Sequence, residues 1–128
     1  MNTPKKFRVW DVTNKKFLPQ SHFAILGNGK LIVSDSGHYI HFTNTNKEDY
    51  IVQEYTGLTD KNGNPIFEDD IVKWGDLNYL VEWNDIAYKW QGRCPYYHSY
   101  HHPTTEYFRD LMNGVIAGNY FENNELLK

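Results

Sequence analysis

The chain has 128 residues, of which 40% are hydrophobic and 16% aromatic, and it carries a net charge of −3 and one cysteine. This length suffices for one compact unit or two small subdomains with a buried core. The apolar content excludes an intrinsically disordered chain, and the negative charge excludes a polycation built for nucleic acid. A single cysteine excludes an intrachain disulfide and a thiolate cage around a metal.

Basic and acidic residues are unevenly distributed. Residues 1–47 carry seven Lys or Arg and two acids, a net +5, whereas residues 48–128 carry six and fourteen, a net −8. Such asymmetry marks either a basic contact face or two subdomains that attract each other, and the lack of a basic run longer than two favours the second. With no apolar signal core and no apolar stretch of about 18 residues, the sequence predicts a cytoplasmic protein.

Turn residues separate short strand-like runs in the first half of the chain. Only three alanines occur against thirteen asparagines, a balance that favours strands and turns over long helices. Gly27-Asn28-Gly29-Lys30 predicts a hairpin, because Asn-Gly tolerates positive φ. The predicted strands of this half are 7–11, 17–18, 23–26, 31–34, 38–42 and 50–55.

The second half changes character at Thr56-Gly57 and again alternates strands with short turns. Three successive strands would form a meander, which is typical of the start of a small barrel. Pro103 before Thr105 and Asn113-Gly114 after Met112 are the start and stop signals of a helix. The predicted elements are strands at 65–67, 71–74, 79–83 and 87–90, a loop at 92–103, a helix at 105–112 and a closing strand at 115–121.

The sequence therefore predicts an all-β protein. It would consist of an N-terminal β-rich part over residues 1–55 and a small barrel over residues 56–128, with one short helix near 105–112. The apolar residues expected to form the core are Trp10, Ile25, Ile32, Ile40, Val52, Ile71, Val72, Val81, Trp83, Val115 and Ile116.

Three motifs occur in order along nearly the whole chain. They are Phe7-Arg8-Val9-Trp10-Asp11, then residues 53–63 with 66–72, and then residues 118–127. Their order and spacing resemble the YopX family of phage and prophage proteins, with its F-R-x-W-D, Q-Y-T-G-L-x-D-K-x-G-x-x-I-Y-E-G-D-I-V and I-G-N-x-Y-E-N-P-E-L-L patterns. The chain departs from these patterns at Asp69, where Gly is usual, and at Asn124, where Pro is usual.

The resemblance implies a bacteriophage or prophage origin, action in the host bacterial cytoplasm, and a mostly β fold whose C-terminal part is an SH3-like barrel. It also allows one continuous domain over residues 1–128. It implies no biochemical activity, because the family is one of unknown function. Residues 92–105 match no part of the family pattern.

The matched residues have a sufficient structural explanation. Asp60 and Asn62-Gly63 would close a turn through side-chain caps and positive φ. Residues 68–70 would bend the chain into a strand, with Asp carboxylates accepting backbone N–H groups. Gly118-Asn119 would shape a bulge and Asn123 would cap the tail. We therefore expect a non-catalytic protein without a cofactor or a metal.

Two clusters keep a metal-dependent enzyme open as the alternative. Cys94, His98, His101 and His102 are types of zinc ligand, although their spacing matches no zinc motif and four ligands from one short loop are sterically awkward. The acids 68–70 could hold Mg²⁺ or serve as general acid and base, although their place in a turn favours the structural role.

Aromatic residues and histidines crowd the segment around the predicted loop. Such side chains stack on bases or contact a protein partner, but one arginine with partly protonated histidines attracts phosphate only weakly. We therefore predict a binding or adaptor module with a protein or nucleic-acid partner. The candidate binding surface consists of Trp90, Arg93, Tyr96, Tyr97, His98, Tyr100, His101 and His102.

Self-association is the last expectation. Aromatic residues make up 16% of the chain, more than small barrels readily bury, and edge strands would present unpaired backbone groups. The opposite charges of the two halves favour a head-to-tail contact that salt would weaken. The sequence thus predicts a homo-oligomer.

Overall fold

A computed structural model describes residues 6–34, 40–42, 49–94, 104–107 and 112–128. The strands are β1 (Phe7–Asp11), β2 (Lys16–Phe17), β3 (Phe23–Ile25), β4 (Leu31–Ser34), β5 (Ile40–Phe42), β6 (Tyr50–Thr59), β7 (Pro65–Phe67), β8 (Asp70–Trp74), β9 (Leu77–Asn84), β10 (Lys89–Cys94), β11 (Thr104–Tyr107) and β12 (Val115–Asn119). One α-helix, α1 (Tyr120–Asn123), and two 3₁₀ turns (Gln20–His22 and Asn124–Leu127) complete the described elements. The predicted all-β class is confirmed.

The chain divides into two compact units, Phe7–Gln53 and a second unit that contains Glu54–Lys128. The division falls inside β6, and the predicted boundary between residues 55 and 56 lies two residues further along the same strand. Among the described residues, no helix has the length and apolar character needed to cross a membrane.

The N-terminal unit is built from antiparallel pairs. Strand β1 pairs with β2, and β3, β4 and β5 form a meander. Val9, Leu31 and Val33 are buried at its centre, with partly buried neighbours such as Phe23 and Val52 packed around them. Side chains alternate along a strand, so Leu31 and Val33 share the inner face of β4, whereas Ile32, expected in the core, is only half-buried.

The C-terminal unit contains a five-stranded antiparallel sheet in the order β11-β10-β9-β8-β12. Apolar residues cover both faces of its central strands. Val72 and Val81 belong to a cluster on one face, and Ile71, Leu80 and the tail residue Leu127 form a cluster on the other. The predicted meander is therefore present, while closure into an SH3-like barrel stays a prediction.

Some core expectations hold and others are wrong. Trp10, Ile71, Val72 and Val81 are buried, and Ile25, Val52 and Ile116 are partly buried against a core cluster. Trp83 and Val115 are 41% and 39% exposed, because each lies near the end of its strand, beyond the buried cluster. The side chain of Ile40 lies outside the described residues.

The helix predicted near 105–112 is wrong where the structure describes it. Residues Thr104–Tyr107 form β11, which pairs with β10 from Gln91↔Tyr107 to Cys94↔Thr104. The same pairing makes residues 92–94 a strand and not the predicted loop. The physical reason is tertiary: the free backbone groups along β10 are satisfied by a segment whose Thr and Tyr residues also suit a strand. Residues 108–111 lie outside the described part.

Candidate functional site

The turn between β6 and β7, which contains part of the second sequence motif, is held by one carboxylate. Asp60 is 4% exposed, and its Oδ1 accepts the N–H groups of Asn62 and Asn64, each at 2.9 Å. Its Oδ2 accepts the N–H of Ile116 at 3.0 Å. Burial by itself raises the pKa of this carboxyl, but the backbone donors outweigh burial and hold the pKa below its ordinary value of 3.8. The structural role expected for Asp60 is confirmed.

The acidic turn before β8 is also engaged within the fold. Asp70 is 2% exposed, and its Oδ2 accepts the N–H of Phe67 at 2.8 Å. Asp69 adopts a left-handed φ of 66°; its N–H donates to the Val81 carbonyl at 2.9 Å, and its own carbonyl accepts from the Tyr120 N–H at 2.8 Å. A left-handed position favours glycine and tolerates aspartate, which explains how Asp69 stands where the family pattern has Gly.

The last motif forms the junction of β12 and α1. The Oδ1 of Asn119 accepts the N–H groups of Phe121 and Glu122 at 3.0 Å each, which caps the helix. Asn123 in turn accepts the Asn119 N–H at 3.2 Å. A Cβ added at Gly118 would lie 2.8 Å from the Asn123 Cβ, so only glycine fits beside that side chain. The described side chains of this motif, like Asp60 and Asp70 of the second motif, are engaged in holding the chain together.

The metal hypothesis concerns the loop and the acidic turn. Within the described ranges, no three His, Cys, Asp or Glu side chains come close enough to hold a metal ion. Cys94 is buried and packs into the core cluster of Val72 and Val81. His98, His101 and His102 lie outside the described residues, so the metal-dependent alternative at that loop stays a prediction.

Two of the eight residues of the predicted binding surface are described. Trp90 and Arg93 are three positions apart on β10, so their side chains leave opposite faces of the strand. Trp90 packs edge-on against Trp83, with ring centroids 5.3 Å apart and an interplanar angle of 71°. The other residues lie outside the described part, and their role stays a prediction; they are Tyr96, Tyr97, His98, Tyr100, His101 and His102.

Arg93 belongs to a polar ladder on the face of the sheet opposite Trp90. Its Nε donates to Glu82 Oε1 at 2.8 Å, and the same oxygen accepts from Gln91 Nε2 at 2.9 Å. Asn84 Nδ2 donates to Gln91 Oε1 at 2.9 Å. The guanidinium charge is therefore paired with a carboxylate, which lowers its attraction for phosphate.

The turn between β9 and β10 carries apolar side chains that sequence reasoning missed. Ile86 is 93% exposed and Tyr88 is 81% exposed, and Tyr88 adopts a left-handed φ of 51°. We call Ile86 and Tyr88 the tip. The turn is fixed by Asn84, whose Oδ1 accepts the N–H groups of Ile86 and Ala87 at 3.0 Å each. The available signal was an isoleucine directly after the turn-forming Asn84-Asp85 pair.

The opposite end of β9 borders a depression of about 410 Å³. It is lined by Trp74, Gly75, Asp76, Leu77 and Tyr79, which we call the socket. The rings of Trp74 and Tyr79 lie 6.3 Å apart at 50°, and both Trp74 and Leu77 pack against the core. Gly75 adopts a left-handed φ of 63° in the β8–β9 turn, and a Cβ built there would meet nothing within 4 Å.

A second depression, of about 200 Å³, lies in the N-terminal unit. Its polar lining includes Asp11, which accepts the N–H and the Nδ2 of Asn14 at 3.1 and 2.7 Å, and Ser34. The Ser34 hydroxyl is buried without a hydrogen-bond partner in the described part of the chain. The volume is below the roughly 300 Å³ of small-molecule sites, so the depression is a poor ligand site.

Comparisons with known proteins agree with this fold. The family model described as "YopX protein" matches residues 6–128. The chain is similar to the crystal structure of protein EF1440 from Enterococcus faecalis, with 23% identity, a TM-score of 0.62, and coverage of 99% of this chain and 100% of that one. No curated protein matches. Since the family model spans nearly the entire sequence, the chain belongs to the YopX family.

Proposed function

We propose that this protein is a non-catalytic binding module of a phage or prophage, and that it acts in the host cytoplasm by binding another protein through the tip. One observation carries the proposal: Ile86 and Tyr88 are 93% and 81% exposed on a turn whose backbone is itself strained. The phage setting and the compartment rest on the family likeness described above.

The tip is poorly explained by stability alone. A left-handed backbone costs a non-glycine residue roughly 1–2 kcal/mol, and asparagine or glycine would suit the position of Tyr88 better. Exposed apolar side chains gain nothing in the free protein, whereas burial of an aromatic ring contributes strongly at an interface. Strain and exposure at one turn are therefore accounted for by a partner that buries the tip.

A protein fits the tip better than a nucleic acid does. Asp85 and Lys89 flank the tip with opposite charges, and Arg93 is ion-paired with Glu82. Phosphate binding needs an excess of cations, which these residues do not provide. Tyrosine and tryptophan, by contrast, are enriched among the residues that dominate protein–protein affinity.

Photo-crosslinking tests the proposal. A benzoylphenylalanine replacing Tyr88 in the full chain should capture a protein in host cells, whereas the same probe at the exposed Lys61 should capture none. Loss of the product in an Ile86→Ser background would link the capture to the tip. Equal labelling from positions 88 and 61 would contradict the proposal.

Elemental analysis tests the competing enzyme hypothesis on the same protein. Purified protein should contain no stoichiometric transition metal. A stoichiometric metal that is lost from a His98→Ala and His101→Ala variant would contradict the non-catalytic proposal and support the metal-dependent alternative.

A further inference from the structure

Three Asn-Gly pairs occur in the chain, and two of them lie in turns of similar backbone geometry. Asn28-Gly29 lies in the β3–β4 turn and Asn62-Gly63 in the β6–β7 turn, and all four residues are exposed. Both glycines adopt a left-handed φ, of 87° and 84°, and each donates its N–H to the carbonyl three residues earlier, at 2.8 and 3.0 Å. Because the glycines match, the two pairs can be compared at their asparagine side chains.

The asparagine side chains of these two turns have different surroundings. The N–H of Lys30, two residues after Asn28, donates to Asn28 Oδ1 at 3.1 Å. This hydrogen bond folds the side chain back over the peptide that follows it. In the β6–β7 turn the equivalent donor is the N–H of Asn64, which donates instead to Asp60 Oδ1 at 2.9 Å. The Asp60 carboxylate thus takes the hydrogen bond that would hold the Asn62 side chain in the same way.

From this difference we infer that Asn28 is a site of spontaneous deamidation, and that Asp60 protects Asn62 from the same reaction. The inference is independent of the tip. The Gly29 nitrogen loses its proton to a base in solution and bonds to the side-chain carbonyl carbon of Asn28. The side-chain nitrogen takes up a proton and leaves as ammonia, so that a five-membered succinimide forms. Water then opens either carbonyl of the succinimide, which leaves aspartate or isoaspartate and one additional negative charge at position 28.

The β3–β4 turn assists this reaction. Glycine has no Cβ to obstruct the approach of its nitrogen to the preceding side chain. Negative charge develops on Asn28 Oδ1 during the attack, and the Lys30 N–H that already donates to this oxygen stabilises the charge. The attack breaks the hydrogen bond from the Gly29 N–H to the Leu26 carbonyl, which is one local bond in an exposed turn. Opening of such a turn requires little free energy.

The other two pairs lack this assistance. The carboxylate of Asp60 accepts the N–H groups of Asn62 and Asn64, and its second oxygen ties the turn to the N–H of Ile116. The Asn62 side chain therefore reaches the next nitrogen only if the turn opens against this network. In the third pair, Asn113-Gly114, the glycine is buried, which hinders access of a base to its N–H.

Peptide mapping by mass spectrometry tests the inference on the full chain, incubated folded at mildly alkaline pH. The measured quantity is the rate at which each Asn-Gly pair gains the mass difference between an amide and an acid. Asn28 should react at least about tenfold faster than Asn62, since two more hydrogen bonds to a carboxylate hold the second turn closed. Asn113 should also be slower than Asn28. The same chain unfolded in urea is the control, in which all three pairs should react at similar rates.

Asp60→Ala tests the protection of Asn62. Removal of the carboxylate frees the Asn64 N–H, so the rate at Asn62 should rise to that at Asn28, while the rate at Asn28 should remain that of the wild type. Asp85→Ala removes an exposed acid from a different turn and should change neither rate. If the rates at both asparagines rise together in Asp60→Ala, the variant is unfolded, and the ranking in the wild type decides alone.

Two results would overturn the assignment of Asn28. One is a rate at Asn62 that equals or exceeds the rate at Asn28 in the folded wild type. The other is an Asn28 that stays intact in the folded protein over a time in which the unfolded chain reacts. A folded Asp60→Ala with an unchanged rate at Asn62 would overturn the protective role of Asp60.

Discussion

Two turns of the C-terminal unit contain similar polar residues that serve opposite roles. In the β6–β7 turn, Asp60 accepts three backbone N–H groups, one of them from Ile116 on β12, and is buried. In the β9–β10 turn, Asn84 accepts the N–H groups of Ile86 and Ala87, but it holds apolar side chains out in solvent. The first turn ties the fold together, and the second presents side chains that the fold does not use.

The comparison separates family membership from function. Asp60, Asp70, Gly118 and Asn119 belong to the motifs by which the family is recognised, and each is engaged in turns, caps or close packing. The tip lies outside those motifs. A signature can therefore mark what a fold requires without marking a surface that binds a partner.

The largest expected effect comes from Asp60→Ala. The substitution leaves three backbone N–H groups without their acceptor at a buried site, which should lower the free energy of unfolding by about 3 kcal/mol. Urea denaturation measures the loss. The exposed turn acid Asp85 supplies the control, and Asp85→Ala should stay within about 0.5 kcal/mol of the wild type. Equal effects of the two variants would remove the distinction between the turns.

Acidification should gradually remove the stabilisation that the ionised Asp60 carboxylate gives to the fold. The pKa of Asp60 is lowered in the folded protein, so its stabilisation is complete above the unfolded value of 3.8 and is lost as pH falls through the folded pKa. Between about pH 6 and about pH 3, the free energy of unfolding should therefore fall further in the wild type than in Asp60→Asn, whose side chain cannot ionise. Parallel stability curves would show that Asp60 has the same pKa in both states.

A substitution in the tip should raise the stability of the fold, whereas the Asp60 substitutions lower it. Tyr88→Asn relieves a left-handed tyrosine with a φ of 51° and should raise the free energy of unfolding by about 1 kcal/mol. For a chain of this length, the thermal midpoint should rise by roughly 3–5 °C. Tyr88→Phe keeps the strained Cβ and should show no gain. A loss of stability in Tyr88→Asn would mean that the ring contributes to the fold.

The smallest effect is expected in the N-terminal unit. Ser34→Ala removes a buried hydroxyl that has no partner in the part of the chain described, so stability should change by less than about 0.5 kcal/mol or rise slightly. Thermal unfolding compares it with Ser21→Ala at an exposed position. A loss above about 1 kcal/mol would show that the hydroxyl is hydrogen-bonded in solution.

Local chemistry in the sequence predicted much of the fold. Asn-Gly turns and alternating apolar runs located β1, β4, β8 and β9 within a few residues. Asp60 could be assigned to a turn because its side chain acts on backbone groups two and four residues away. The cap was predicted at Asn123 and is wrong by four residues, because Asn119 caps α1 and Asn123 makes no cap hydrogen bond. Such short-range contacts are visible in a sequence without any tertiary information.

Elements whose structure depends on long-range contacts could not be predicted in the same way. The segment Thr104–Tyr107 has the start signals of a helix, but pairing with β10 makes it a strand. Tyr88 was placed in the predicted strand 87–90, although β10 begins at Lys89 and leaves Tyr88 in the turn. The socket was also unpredicted, since its shape depends on how Trp74 and Tyr79 pack across the β8–β9 hairpin.

The burial of Cys94 has a practical consequence for measuring motions of the C-terminal unit. The chain contains one thiol, which is 7% exposed and packed against the core of the five-stranded sheet. A thiol reagent can react only when that part of the sheet opens, so the labelling rate reports the free energy of local opening. The native sequence therefore carries a built-in reporter, and comparing its rate between wild type and Asp60→Ala would tell whether the turn and the sheet open as one cooperative element.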